Sequence, residues 1–379
     1  MKLIKSCGAC AVPLPDLGAK QCSHCKTRYH GRACQEQHWK EGGHDKLCKK
    51  IKKAGGAEQY YADKKCAEAI ALAVEECADD TKGQTCFICT EALHRKTKEG
   101  LVRGCSCRGT AGFAHVSCLA EQAKVLVAEA EERNLDGKEW DERFWRWETC
   151  SLCEQDYHGV VCCALGWACW KTYVGRPETD WARRYAINVL GKGLYMGKHY
   201  EDALPVMEAQ LSTMRRRRAP EKDILVAQGN LANTYDKLAR FDEALCTRQD
   251  VYFGFVKHLG YQHCNTLSTA ASYTKSLLLL KRFEEAKTLM RKTMPVARRV
   301  LGEGHRVTLK MRSSYGWALY RDAGATLDDL REAVTTLGKT EETARRVLGG
   351  PHPLVAQIEG NLRDARAALR RAREEPGAP

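Results

Sequence analysis

Eight of the cysteine and histidine residues between Cys86 and Cys153 fall into four pairs, and their spacing constrains this 379-residue chain more than any other feature. The pairs are Cys86-Phe-Ile-Cys89, Cys105-Ser-Cys107, His115-Val-Ser-Cys118 and Cys150-Ser-Leu-Cys153. A short pair supplies two ligands from one turn of backbone to one side of a tetrahedral ion, so two pairs close a site. Thiolate sulfur and imidazole nitrogen at that coordination number select zinc. Scattered buried thiols would not fall into four correctly spaced pairs in one stretch.

A second constellation precedes it. Cys7-x2-Cys10 and Cys22-x2-Cys25 are followed by His30-x3-Cys34 and His44-x3-Cys48. The i, i+4 spacing of the last two pairs places both ligands on one face of a helical turn. His24 and His38 are left unassigned and are expected on the surface. Of the 20 cysteines, 18 lie at or before Cys169, which separates a metal-rich front from a metal-free back. The opening Met1-Lys-Leu-Ile-Lys is too short an apolar start for a signal peptide. Metal-bound thiolates in a reducing compartment, cytoplasmic or nuclear, therefore explain the cysteines better than disulfides. No apolar run reaches the roughly 18 residues of a membrane span. The longest, residues 159–170, is expected to form a buried helix.

The order of the four later pairs, with one residue inside the second, resembles the RING-CH type of zinc finger. The run from Cys105 through His115-Val-Ser-Cys118-Leu119 carries the likeness. A PHD finger shares the ligand order and a tryptophan before its last pair, as Trp147 stands here; the Cys105-Ser-Cys107 gap favours RING-CH. The resemblance implies interleaved ligands: Cys86, Cys89, His115 and Cys118 on one zinc, Cys105, Cys107, Cys150 and Cys153 on the other. Tyr29-His-Gly-Arg-Ala-Cys34 through Trp39, followed by His44-x3-Cys48, resembles a MYND finger. That likeness implies a Cys7, Cys10, His30, Cys34 site and a Cys22, Cys25, His44, Cys48 site, with His30 where the family usually has cysteine. Four structural zinc ions are thus expected. All positions are filled by protein, which leaves none for a catalytic water. MYND fingers dock short peptides on the segment corresponding to residues 35–39; Trp39 serves equally well as packing.

Residues 57–79 read as an alanine-rich helix, with Cys66 and Cys77, like Cys162, Cys163 and Cys169, as core thiols. Residues 119–149 read as a helical insert ending in the aromatics Trp140, Phe144, Trp145 and Trp147. From about Asp180 a helical repeat takes over. Tyr200-Glu-Asp-Ala, Phe241-Asp-Glu-Ala and Phe283-Glu-Glu-Ala recur at steps of 41 and 42 residues. Leu259-Gly260, Leu301-Gly302 and Leu348-Gly349 follow, each trailed by a histidine: His263, His305 and His352. The small alanine lets paired helices approach, and the glycine is expected as a left-handed C-cap. Such pairs bury their faces only by stacking. This half resembles the tetratricopeptide repeats of kinesin light chains, and is weakest near residues 323–330, where five residues are inserted.

The fold class expected is mainly α: two small zinc-braced fingers, MYND and RING-CH, followed by an α-helical tetratricopeptide-type solenoid. The boundaries expected are 1–53 and 85–158 for the fingers, 54–84 for a helical linker and 159–180 for a connector. Residues 181–373 form the repeats with a capping helix, and 374–379 a disordered tail.

Charge divides along the same line. Residues 1–169 carry 25 Lys and Arg against 24 Asp and Glu, whereas residues 170–379 carry 36 against 24. A basic solenoid speeds encounter with acidic peptides. The run Arg215–Arg218 raises nucleic acid as a partner, but no aromatics interleave with it for base stacking, and a solvated helix end explains it. No phosphate-binding loop or nucleophile–base pair is present. Any activity must come from positioning other proteins. The RING-CH resemblance implies a ubiquitin-protein ligase that recruits a ubiquitin-conjugating enzyme, with Ile88 and Leu152 as docking residues. The same modules serve equally as a non-catalytic adaptor.

Overall fold

The computed structural model describes Cys7, Leu14, residues 19–350 and residues 352–374. Cys10 and residues 375–379 of the expected tail lie outside the described residues. The chain divides into two compact units, Met1–Thr213 and Met214–Pro379.

The first unit begins with a two-stranded hairpin, β1 (Lys20–Gln21) and β2 (Arg28–Tyr29), followed by helices α1 (Arg32–Lys40) and α2 (His44–Lys53). Their core is small and largely sulfur: Cys7, Cys22, Cys25 and Cys48 pack with Leu14, Tyr29 and Ile51. So little apolar surface rarely sustains a fold alone, and small domains of this kind commonly depend on a disulfide, a metal or a partner. The alanine-rich segment forms α3 (Ala57–Glu76), extended by the short α4 (Ala78–Thr81). The helical insert resolves into α5 (Val116–Glu132), α6 (Gly137–Phe144) and a 3-10 turn, Trp145–Trp147. Trp140, Phe144 and Trp147 are buried, and Trp145 is exposed.

Helix α7 (Gly159–Tyr173) comes from the stretch expected as a connector. Every residue from Val161 to Trp170 is buried. A helix that is apolar all round must be covered on all sides, and α3, α5, the 3-10 turn and α8 (Trp181–Met196) cover it. The crossing with α8 is closest at glycines. A Cβ on Gly193 would stand 2.7 Å from the Cys162 carbonyl oxygen, and one on Gly166 3.0 Å from that of Val189. Helix α9 (Tyr200–Arg216) meets α8 at Gly191, where an added Cβ would lie 3.3 Å from Met207 Cγ, a first repeat-like hairpin.

The second unit continues the pairing: α10 (Glu221–Lys237) with α11 (Phe241–Leu259), α12 (Cys264–Leu279) with α13 (Phe283–Leu301), and α14 (Arg306–Arg321) with α15 (Leu327–Leu348). Helix α16 (Pro353–Glu374) closes the series. Each helix packs on the next, and α14 also packs on α12 and α16, which is a tetratricopeptide-like solenoid. The alanines of the recurring turn, Ala244 and Ala286, are fully buried. At the degraded turn, Thr326 and Asp329 form a reciprocal capping box at the start of α15. There Lys287 of α13 donates to Asp322 at 2.8 Å, anchoring the inserted residues.

Three expectations require correction. His30 precedes α1, so of the two i, i+4 pairs only His44 and Cys48 share a helix. Gly260, Gly302 and Gly349 have φ of 79°, 88° and 81°, but ψ of 170°, 161° and 152°. They end their helices in an extended region open essentially to glycine alone, rather than in a left-handed helical cap. His38 is buried, because α1 turns it inward, one turn beyond Cys34, where the Tyr29 hydroxyl lies 3.0 Å from its Nδ1. His24 is exposed as expected.

Candidate metal centres

The structure brings the sequence-predicted ligands into four clusters. In each, the donor atoms lie within 4.8 Å of one another. They are Cys22, Cys25, His44 and Cys48; Cys86, Cys89, His115 and Cys118; Cys105, Cys107, Cys150 and Cys153; and Cys7, His30 and Cys34. Cys10, expected with the last set, is outside the described residues.

Local backbone explains how each turn presents its sulfurs. In three Cys-x2-Cys turns the residue after the second cysteine returns its N–H to the carbonyl of the first: Lys26 to Cys22 at 2.9 Å, Thr90 to Cys86 at 2.8 Å and Glu154 to Cys150 at 3.0 Å. All three residues take positive φ, 61°, 64° and 56°, which tightens the turn. The backbone N–H groups of Ile88 and Leu152 point at Cys86 Sγ and Cys150 Sγ, each at 3.4 Å. Partners from distant chain are delivered by an isolated bridge between Val102 and Ala114 and another between Thr149 and Asp156. His115 stands at the N-cap position of α5 without a side-chain cap bond, and Cys118 occupies the first turn.

The distances test whether zinc fits. Zn–S bonds of about 2.3 Å and Zn–N bonds of about 2.0 Å in a tetrahedron require S···S edges of about 3.8 Å and S···N edges of about 3.5 Å. The structure gives Cys22 Sγ to Cys48 Sγ 3.7 Å and Cys107 Sγ to Cys150 Sγ 3.8 Å. His44 Nε2 lies 3.4 Å from Cys25 Sγ, while His115 Nδ1 lies 3.4 Å from Cys89 Sγ and 3.6 Å from Cys118 Sγ. These are the edges of zinc tetrahedra, so the donor sets are consistent with zinc binding.

Sulfurs this close compete for protons. Burial raises the Cys153 thiol, but backbone N–H groups of Gln155 and Ser106 and the Cys107 thiol outweigh it and hold Cys153 at about 7. Burial pushes Cys107 up to about 11. The amino-terminal cluster repeats this split, with burial driving Cys48 up to about 12 while the Cys25 backbone and His44 bring Cys22 down to about 6. A divalent cation ionises every thiol together and removes the conflict. The non-ligand thiols differ: burial raises Cys66 to about 11 and both Cys162 and Cys163 to about 12, which leaves them inert.

Supporting residues were not evident from spacing. Glu99 accepts from the Ser117 N–H at 2.7 Å and its hydroxyl at 2.8 Å, fixing the start of α5 and hence the His115–Cys118 pair. Gly112, at φ 84°, passes so close to the second sulfur pair that a Cβ would meet Cys107 Cβ at 2.6 Å. His263, His305 and His352 each accept a backbone N–H through Nδ1, at 3.1, 3.2 and 3.1 Å from Asn265, Val307 and Leu354. They cap the first helix of successive pairs, and their recurrence in the sequence was the only signal.

The expected docking residues are available: Ile88 is 37% exposed, Leu152 50% and Trp39 49%. In the second unit a cavity of about 250 Å³ opens between α10, α11 and α12. Asn230, Asn233, Arg248, Phe255, Ser268 and Ser272 are among its lining residues. Leu225, Val226 and Val251 add apolar surface to that lining. Among the described residues, no helix is long and apolar enough to cross a membrane.

Residues 86–131 match the RING-variant domain family model, and residues 266–306 match a tetratricopeptide repeat model. The first match stops short of Cys150 and Cys153, which the structure nonetheless places beside Cys105 and Cys107. No curated protein matches the chain. Among solved structures, it is similar to a variant form of a Podosopora anserina protein with nearly identical kinesin light chain TPR-like repeats. That likeness is 14% identical, covers 62% of this chain and 99% of that one, and has a TM-score of 0.42. It is also similar to BtubC (BKLC) from P. vanneervenii, at 12% identity, 70% and 92% coverage and a TM-score of 0.41. The chain therefore carries a RING-variant domain, a Cys/His donor set consistent with zinc, and repeats of a protein-interaction type.

Proposed function

We propose that this protein is a RING-type ubiquitin-protein ligase with four structural zinc ions, held by the sixteen cysteines and histidines named above with Cys10 completing the Cys7, His30 and Cys34 set. The observation that carries the reading is the RING-variant match over residues 86–131, joined to the interleaving of its pairs with Cys150 and Cys153. Zinc there supplies a rigid scaffold. The finger lends no nucleophile; it binds a ubiquitin-conjugating enzyme on the exposed tips of Ile88 and Leu152 and orients it toward a lysine of the substrate. A MYND-type finger over residues 1–53 and the repeats over 181–373 hold the substrate. The basic repeats favour acidic peptides. Its place is the cytoplasm or nucleus, where thiols stay reduced.

A non-catalytic adaptor is favoured by one observation. Residues 119–123 of α5 read Leu-Ala-Glu-Gln-Ala, where the resembled family has a tryptophan beyond its His-Cys pair. One assay separates the readings: autoubiquitination by zinc-loaded protein with a panel of conjugating enzymes, with Ile88→Ala beside the wild type. Chains lost in the variant establish the ligase; no chains from a wild type holding four zincs leave the adaptor. Equal affinity for an acidic peptide and its amide-neutralised form would refute the charge preference.

A further inference from the structure

The Cys150–Cys153 turn is joined to the first repeat helix by side chains that neither the fingers nor the repeats call for. Lys192 of α8 lies 3.1 Å from Glu148 Oε1 and 3.1 Å from Asp156 Oδ2. These carboxylates flank the turn on either side, where the chain is closed by the Thr149–Asp156 bridge and by the Tyr157 N–H donating to the Glu148 carbonyl at 2.8 Å. The Glu148 side chain is only 18% exposed, so Lys192 neutralises a charge that water reaches poorly. Partial burial pulls the Lys192 ammonium down, but the two carboxylates outweigh it and hold its pKa above the ordinary lysine value.

The other half of the same cluster rests on the start of α7. The His158 N–H donates to the Gly104 carbonyl at 2.8 Å. Gly104 sits so tightly on Val161 that an added Cβ would be 2.4 Å from the valine Cβ, and Cys105 is the next residue. Helix α8 in turn lies on α7 at the glycine crossing. It is tied further by the Tyr185 hydroxyl donating to Asp141 at 2.9 Å, and by Arg183 to Glu58 at 3.1 Å. Tyr185 also packs on Trp140 of α6, ring centres 5.0 Å apart. The Cys86–Cys89 turn is braced elsewhere, by the Phe87 N–H donating to the Phe113 carbonyl at 2.9 Å.

We propose that Lys192 is a positioning residue for the Cys105, Cys107, Cys150 and Cys153 cluster: the first repeat helix clamps the Cys150–Cys153 turn, so that finger and first repeat pair hold their metal as one unit. The clamp also sets the Leu152 tip, which couples whatever docks there to α8. The metal part of the inference rests on the zinc reading given above; the clamp on the turn does not.

The test is hydrogen exchange on the full chain, read at the amides of Glu154 and Tyr157, with Thr90 of the first turn as internal control. Lys192→Met keeps the aliphatic packing but removes the charge. Exchange at Glu154 and Tyr157 should then rise about tenfold, the scale of a charged hydrogen bond discounted for solvent, while Thr90 stays unchanged. Lys192→Arg should restore slow exchange. In the same samples a chelator should strip one zinc about tenfold faster than from wild type. Unchanged exchange at Glu154 and Tyr157, or an equal rise at Thr90, would overturn the clamp. A wild type that holds no zinc at Cys105, Cys107, Cys150 and Cys153 would defeat the zinc reading, and exchange would still decide the role of Lys192.

Discussion

Replacing Arg248 by methionine should be among the most damaging single changes in the second unit. Arg248 projects from α11 between α10 and α12, with its side chain 4% exposed and its partner Asp236 8% exposed. Its guanidinium lies 2.8 Å from Asp236, donates to Asn233 at 2.8 Å and reaches Ser276 at 2.5 Å. Methionine fills much of the volume but leaves the Asp236 carboxylate with Lys275 alone, at 3.3 Å and itself 57% exposed. Asp236 Oδ1 already has no hydrogen-bond partner. Stranding one partner of a buried pair costs about 3–5 kcal/mol, a large share of the roughly 5–15 kcal/mol that holds a domain together. Asp236→Asn in the same background removes the stranded charge, so the double variant should recover at least about 1.5 kcal/mol relative to the sum of the singles. Urea dependence of hydrogen exchange in α10 to α12 gives both numbers. A loss below about 1 kcal/mol, or strictly additive effects, would show that Asp236 finds solvent and that the buried-pair argument fails.

Cys150→Ser should release one zinc and spare the Cys86 set if the finger ligands interleave; loss of two ions by elemental analysis would contradict that arrangement. Gly316→Ala would place a Cβ 2.6 Å from Leu337 Cγ at the α14–α15 crossing. Overpacking of that kind costs about 1–3 kcal/mol, seen as a lower Tm with zinc content unchanged. His305→Ala removes the N-cap of α14 and should cost about 1 kcal/mol by denaturant unfolding. Asp322 is held below the ordinary carboxylate range, first by Lys287 and then by the Gly324 N–H. Its stabilisation is therefore complete above the unfolded value of about 3.9 and lost as pH falls through the lower folded one. Asp322→Asn should flatten the stability of the second unit below pH 4, measured by thermal unfolding across that range.

What the sequence disclosed follows from which forces are local. The Cys-x2-Cys turns were legible because two ligands three residues apart need only one turn of backbone, and the repeat was legible because helix pairs recur at a fixed step. The partner of each pair is a matter of tertiary delivery, so the interleaving came from resemblance rather than spacing. Lys192, 36 residues beyond Asp156, has no local signature at all. His38 was misplaced because the i, i+4 rule was applied only to ligand pairs; extended one turn beyond Cys34 it turns His38 inward, where it packs on His44 with ring centres 4.9 Å apart. The role of His263, His305 and His352 was hidden for a different reason. Histidine is an uncommon N-cap, and only the Nδ1 distances show it.

The burial of α7 from Val161 to Trp170 has a consequence for how this chain is made. Synthesis is vectorial, and the stretch from Cys86 to Tyr173 takes roughly 4–17 s at about 5–20 residues per second. During that interval Cys105, Cys107, Cys150 and Cys153 emerge before the helix on which their cluster rests. Once α7 appears, the face that α3, α5 and the 3-10 turn do not cover stays exposed until α8 follows. Closure of the Cys105, Cys107, Cys150 and Cys153 cluster and docking of the first repeat helix thus come late, whereas the Cys86, Cys89, His115 and Cys118 set is complete once Cys118 has been made. A chain stalled between Tyr173 and Met196 would leave exposed the face of α7 that α8 otherwise covers.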